Sequence, residues 1–201
     1  MKKLLFFLTC VSFNSFVSAQ NFEKINKKLE DTWVGTIVFN DDTEFTGKFT
    51  YNPLNVDGIL LVKTDSTRNA YGVNVVKSFL FYDDEAQTRR YFYSLPVYHH
   101  ITRKYFFELL HHGSEISILS RNTIKVKDSY VKVKKYVMTY LLDHRDNTIH
   151  NLSREQVLKM TDDKKLEVNA FIKEKKIFLS YKKTEDYIAV VDYYNSLKTN
   201  P

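Results

Sequence analysis

Trp33-Val34-Gly35-Thr36-Ile37-Val38-Phe39, Asn40-Asp41-Asp42, then Glu44-Phe45-Thr46-Gly47-Lys48-Phe49-Thr50-Tyr51: this stretch decides the fold. In its second half Phe45, Gly47, Phe49 and Tyr51 alternate with Glu44, Thr46, Lys48 and Thr50. A period of two sends successive side chains to opposite faces of a strand. The Asn and Asp between the halves favour a turn, because their side chains hydrogen-bond nearby backbone. The stretch therefore predicts an antiparallel hairpin with one face in the core and one in water.

Downstream the strand pattern continues. Asn52-Pro53 breaks the second strand, and Ile59–Val62 reads as a covered strand. Residues 65–69 read as a polar loop. Residues 73–82 read as a strand whose apolar phase slips between Val75 and Val76, which predicts a bulge. Asp83-Asp84-Glu85 turns the chain into Arg89–Leu95, which Pro96 ends. Further strands are expected at Tyr105–Leu110, Ile116–Leu119, Thr123–Lys127, Val131–Leu142 and Thr148–Leu152. Near residue 153 the period changes to about 3.6. Ser153 with Gln156 forms a capping box for a helix over 154–161. Asp162 and Asp163 open a second helix with Leu166, Ala170 and Phe171 on one side. Thr184, Glu185 and Asp186 start a third, with Tyr187, Val190, Val191, Tyr194 and Leu197 as its apolar stripe. Strands followed by helices predict an α+β fold: a curved antiparallel β-sheet or open barrel followed by two or three C-terminal helices.

Upstream lies an export address. Lys2 and Lys3 precede the apolar run Leu4–Leu8, continued by Cys10, Val11, Phe13, Phe16 and Val17. Val17-Ser18-Ala19 supplies a cleavage site, so residues 1–19 read as a signal peptide cut after Ala19. The run is too short and too interrupted by Ser and Asn to span a bilayer. Phe7-Leu8-Thr9 lack the small residues that precede a lipidated cysteine, so Cys10 reads as part of the leader. It is the sole cysteine, and the exported chain would then lack disulfides and thiol chemistry. A short amphipathic helix is expected over 22–30. Residues 20–201 form one β-rich domain with a helical segment at 153–197, with no repeat, linker or transmembrane span. Losing Lys2 and Lys3 lowers the formal charge from +6 to +4. That modest excess favours anionic surfaces without specifying a fold.

Several residue groups invite a chemical role. His99-His100 and His111-His112 are the metal candidates, since paired histidines bind zinc or copper. Strand neighbours face opposite ways, however, and the two pairs flank the strand 105–110 at opposite ends. The alternative is loop histidines in solvent. Asp41-Asp42, Asp83-Asp84 and Asp162-Asp163 would suit carboxylate catalysis, yet each sits at an expected turn or helix start. No GxSxG elbow, phosphate-binding glycine loop or HExxH spacing occurs. No catalytic residue and no cofactor is therefore assigned. Lys125 and Lys127, then Lys132 and Lys134, recur on alternate positions. If their strands adjoin, they form a basic stripe for anionic envelope material such as lipid head groups or polysaccharide. The competing reading is a solvated face with edge-protecting lysines. Asn151-Leu152-Ser153 is a sequon whose Ser already serves as a cap.

The chain resembles a loose family of uncharacterised exported proteins of Bacteroidota-type Gram-negative bacteria. The resemblance rests on the leader, Gly35-Thr36-Ile37-Val38 followed by Thr46-Gly47-Lys48-Phe49, Tyr105–Leu110 leading to Gly113, and Ile188 to Asn195. It implies export and carries no activity or residue role. On hairpin pattern alone the chain is also similar to periplasmic lipoprotein carriers with an open barrel closed by helices. The expected function is a non-enzymatic binding or structural module of the periplasm or cell surface. Its partner would be a protein or envelope component, including lipid, and not nucleic acid. The alternative is a carrier of an apolar ligand held between sheet and helices, followed by a metal-dependent hydrolase.

Overall fold

The computed structural model describes residues 31–51, 58–64, 67–97, 102–127, 132–180 and 183–199. The leader, the helix expected at 22–30, and His99-His100 lie outside them.

The opening hairpin forms as its alternation requires. β1 (Asp31–Phe39) pairs with β2 (Glu44–Tyr51), with Trp33 opposite Phe49, Gly35 opposite Gly47 and Ile37 opposite Phe45. The turn is set by Asp41, whose carboxylate accepts from the Thr43 backbone N–H and hydroxyl. β3 (Ile59–Lys63), β4 (Arg68–Gly72), β5 (Val76–Asp83), β6 (Thr88–Val97), β7 (Arg103–His111), β8 (Ile116–Lys127), β9 (Lys132–Asp143) and β10 (Thr148–Asn151) follow. All ten lie in one antiparallel sheet of order β10-β9-β8-β7-β6-β5-β1-β2-β3-β4. The order resolves into two meanders, β1–β4 and β5–β10, joined where β5 returns to pair with β1.

The sheet is not flat. Tyr51 on β2 and Phe106 on β7 have three strands between them, so a flat sheet would separate them by about 19 Å. Their ring centroids are 6.2 Å apart. The sheet thus curls over its own inner face while remaining open. Inside the curl Phe79 touches the rings of Phe49, Tyr51, Phe81, Phe92 and Phe106 at 4.5–6.4 Å. Ile37, Leu60, Val62 and Val76 complete this cluster. Close approach is built in at Gly35, where a Cβ would stand 2.0 Å from the Leu80 carbonyl oxygen. Only glycine lets β1 and β5 come that near at this point.

The other end of the same inner face is covered by helices. α1 (Arg154–Met160), a 3₁₀ turn at Asp162–Lys164, α2 (Lys165–Glu174) and α3 (Thr184–Thr199) follow the sheet. Ser153 caps α1 by accepting from the Gln156 N–H. Val157, Met160, Val168, Tyr187, Val190, Val191 and Tyr194 meet Ile116, Ile118 and Leu141 in a second core. A third cluster, built on Phe107, Leu119 and Tyr140, occupies the sheet's opposite face.

Five local expectations are corrected. The segment read as a loop at 65–69 contains the start of β4, and the phase slip at Val75/Val76 is a tight turn between β4 and β5. A bulge does occur on β5, one residue later, where Phe39 pairs with Val76 and Val38 with Ser78. Pro96 does not end β6. The β5 ladder stops at Tyr93, so beyond it β6 has no hydrogen-bonding neighbour on that side and a missing N–H costs little. The strands read separately at Ile116–Leu119 and Thr123–Lys127 are one strand, β8. On α2 the buried residue is Val168, with Phe171 and Ile172 beside it, while Leu166 is 82% exposed.

Candidate functional site

The four stripe lysines sit on adjoining strands. β8 pairs with β7 only from Ile118 to Ser120, whereas its pairing with β9 continues from Arg121↔Met138 to Lys127↔Lys132. Seven further pairs of a two-stranded ribbon extend about 24 Å along the strands. Its root is held to the sheet by Arg121, whose guanidinium carbon lies 3.5 Å from the centre of the Tyr105 ring. Beside it, burial raises the pKa of the Tyr140 hydroxyl, and Arg121 acts in the opposite sense.

The register places Lys125 directly opposite Lys134, and Lys127 directly opposite Lys132. Like charges paired across a ladder destabilise a ribbon. Folding alone gives no reason for two such pairs in succession. The two ribbon strands, 121–127 and 132–138, contain six cations and no acid. Arg121, Lys125, Lys127, Lys132 and Lys134 occupy positions of one face, with Thr123, Tyr136 and Met138. The other face takes Asn122, Ile124, Val126, Val133, Lys135 and Val137. Val137 is 64% exposed.

The histidine candidates separate. His111 ends β7, and its Nε2 lies 3.5 Å from the Asp192 carboxylate without hydrogen-bond geometry. The His112 ring is 6.0 Å from that of His144. His144 Nε2 lies 2.8 Å from the Ser117 hydroxyl. Burial, and then neighbouring His112, lower the His144 pKa. Among the described residues no group of three His, Cys, Asp or Glu converges on a point. The acidic doublets act as structural connectors, within turns and between elements. Asp83 accepts from the Ala86 N–H, and Asp163 accepts from the Tyr194 hydroxyl and from Lys198.

Two polar assemblies escaped the sequence reading. On the inner face, between the aromatic and helical cores, Arg90 forms a two-point pair with Glu108 at 2.7 and 2.8 Å. Its third contact is Asp83, and its guanidinium lies over the Phe81 and Phe92 rings. Ser120 donates to the same Glu108. The one signal for this was Glu108 itself, a lone acid in Tyr105–Leu110. The second assembly pins α3 to the sheet. Asn195 accepts from the backbone N–H groups of Glu115 and Ile116 and donates to the Ile116 carbonyl. Gly113 is obligatory beside it, since a Cβ there would lie 2.0 Å from the Asn195 amide nitrogen. A recess of about 280 Å³ between α1 and α2 is lined by Leu158, Thr161, Asp162, Lys165 and neighbours rather than by Phe and Tyr.

The chain matches no protein-family model, no curated protein and no solved structure.

Proposed function

We propose that this protein is an exported, non-enzymatic binding module of the cell envelope, which holds an anionic component on the basic ribbon of β8 and β9. The observation that carries the reading is the direct opposition of Lys125 with Lys134 and of Lys127 with Lys132. An anion lying across both pairs neutralises a repulsion that the free ribbon retains, so binding gains what folding gave up. Both ribbon strands are open along one side, so edge protection accounts for charge on the ribbon, but it gives no reason to set lysine directly opposite lysine. The leader supports export to the periplasm or beyond, with cleavage after Ala19. Among the described residues no helix is long and apolar enough to cross a membrane.

The test is titration with fluorescent dextran sulfate at several salt concentrations. The parent chain should bind with an affinity that falls steeply as salt rises. Replacing Lys125, Lys127, Lys132 and Lys134 with Gln should flatten that dependence and weaken binding about a hundred-fold or more at low salt. Equal binding by parent and variant, or none by the parent, would refute the proposal.

A further inference from the structure

We infer that the outer face of β5 to β8 receives an acidic polysaccharide, whose sugar rings lie on Tyr82, Tyr91 and Tyr93 while its anionic groups meet Arg89, Arg103 and Arg121. The inference rests on the binding-module reading and goes further by naming the ligand class and a surface beyond the lysine ladder. The inner face of these strands is taken by the aromatic core and, farther on, by the helices. An antiparallel sheet with one face filled in this way commonly turns a polar face to water. Here the outward positions carry rings instead. β6 presents Arg89, Tyr91 and Tyr93 in succession, and Tyr82 of β5 lies directly opposite Arg89. Tyr82 is 42% exposed and Tyr93 38%, so solvent reaches both. Phe107, opposite Tyr93, is fully buried. What this row offers to a ligand is therefore tyrosine rather than phenylalanine.

Charge selects the occupant. Arg89 and Arg103 are exposed, and Arg121 is half-buried in its stack on Tyr105. Among the described residues no Asp or Glu takes an outward position on β5 to β9. A second copy of the chain would set arginines against arginines on this face. Eight residues of β6 separate Arg89 from Val97, the partner of Arg103, so the two arginine positions stand about 27 Å apart. One small anion cannot reach both, whereas a linear polyanion can. On β8, Arg121 shares parity with Lys125 and Lys127, so the same polymer continues onto the ladder that carries the module reading. The sheet curls toward its inner face, which leaves this face convex across the strands. A flat bilayer would touch it only along a strip, while a chain following β6 meets its whole length. A pyranose ring has an apolar C–H face and a hydroxyl rim, matching the apolar body and polar tip of tyrosine.

The experiment is calorimetric titration of the protein with oligogalacturonate long enough to reach from Arg89 to Arg103. Beside it run a neutral oligoglucose of equal length and inorganic polyphosphate, a polyanion without sugar rings. Oligogalacturonate should bind, and the neutral sugar should bind about ten-fold more weakly. Tyr82→Ala with Tyr93→Ala should lower oligogalacturonate affinity about ten-fold and leave polyphosphate affinity unchanged, while Tyr82→Phe with Tyr93→Phe should bind like the parent. Arg89→Gln with Arg103→Gln should weaken both polyanions about five-fold at low salt. A second readout needs no substitution: oligogalacturonate should slow nitration of Tyr82 and Tyr93 in the parent, followed by peptide mass spectrometry. Alanine variants that bind oligogalacturonate like the parent, or nitration that the sugar leaves unchanged, would overturn the inference. Binding to phosphatidylglycerol vesicles without binding to oligogalacturonate would also overturn it, in favour of lipid. In each case dextran sulfate binding that depends on the four ladder lysines would leave the module reading intact. A parent that binds neither oligogalacturonate nor dextran sulfate would overturn both.

Discussion

Two halves of one inner face solve the same burial problem differently. From β1 to β7 the sheet covers itself: Phe49, Phe79, Phe81, Phe92 and Phe106 meet because the strands curl until distant rings touch. From β8 to β10 the sheet leaves its face open, and three helices cover Ile116, Ile118 and Leu141. The first solution uses large flat side chains and depends on curvature. The second sets smaller aliphatics of the sheet against valines and tyrosines of the helices, and depends on a few hydrogen bonds that seat the helices. The comparison teaches that an open sheet can be finished by bending or by lidding, and that the two carry different weak points. Arg90, Glu108, Asp83 and Ser120 stand at the seam, with the Arg90 guanidinium over the Phe81 and Phe92 rings.

The difference can be broken most severely at Phe79. Phe79→Ala removes a fully buried ring that touches five others, and should cost about 3–5 kcal/mol in urea unfolding. Because curvature is global, amide exchange should accelerate in both halves. Unfolding indistinguishable from the parent would mean that curvature does not depend on the rings. Next in size is Asn195→Ala, which strands two backbone donors and one acceptor and should cost about 3 kcal/mol. Here exchange should rise at Glu115 and Ile116 and along α3, with β1 and β2 protected as before. Spread of that effect into the first hairpin would erase the distinction between the halves.

The smallest expected effect is the acid sensitivity of the lidded half. His144 has its pKa lowered by burial. For Asp143, burial pushes upward but the Arg145 hydrogen bonds outweigh it, holding the carboxyl below its usual value. For Asp163, burial is likewise outweighed, by Lys198 and Tyr194. A group with a depressed folded pKa contributes stability above its unfolded pKa and loses it as pH falls through the folded one. Protection of α3 should therefore weaken below pH about 6.5 as His144 takes up a proton, and again below about 4 as the two carboxyls do. Monitoring α3 amides from pH 7.5 down to 3.5 checks this, and protection that stays flat would remove these groups from the account.

The curled half was the legible one. Alternation in Glu44–Tyr51 assigned the inner face residue by residue, because a half-buried strand obeys one period throughout. β4 was hidden because Arg68-Asn69-Ala70-Tyr71-Gly72 is an edge strand and needs little apolar surface. On α2 the spacing Val168, Phe171, Ile172 was present but competed with an equally apolar Leu166, and only docking chose between the two phases. In the ribbon the alternation of lysines could be read from each strand alone. Their opposition could not, since register is fixed by the turn and by the hydrophobic match farther down the ladder. Arg90 and Glu108 gave no pattern because a single cross-strand pair has no period.

The return of β5 to β1 also orders events in time. Every other ladder joins strands adjacent along the chain, so each can zip as soon as its second strand is released. Ile37 must instead wait for Phe79, about forty residues later, before the two meanders become one sheet. A chain threaded through a translocation pore from its N-terminus would hold β1 with one bare edge until that moment. The long-range ladder is thus the gate between a half-emerged chain that a chaperone can still hold and a domain that has committed to its shape.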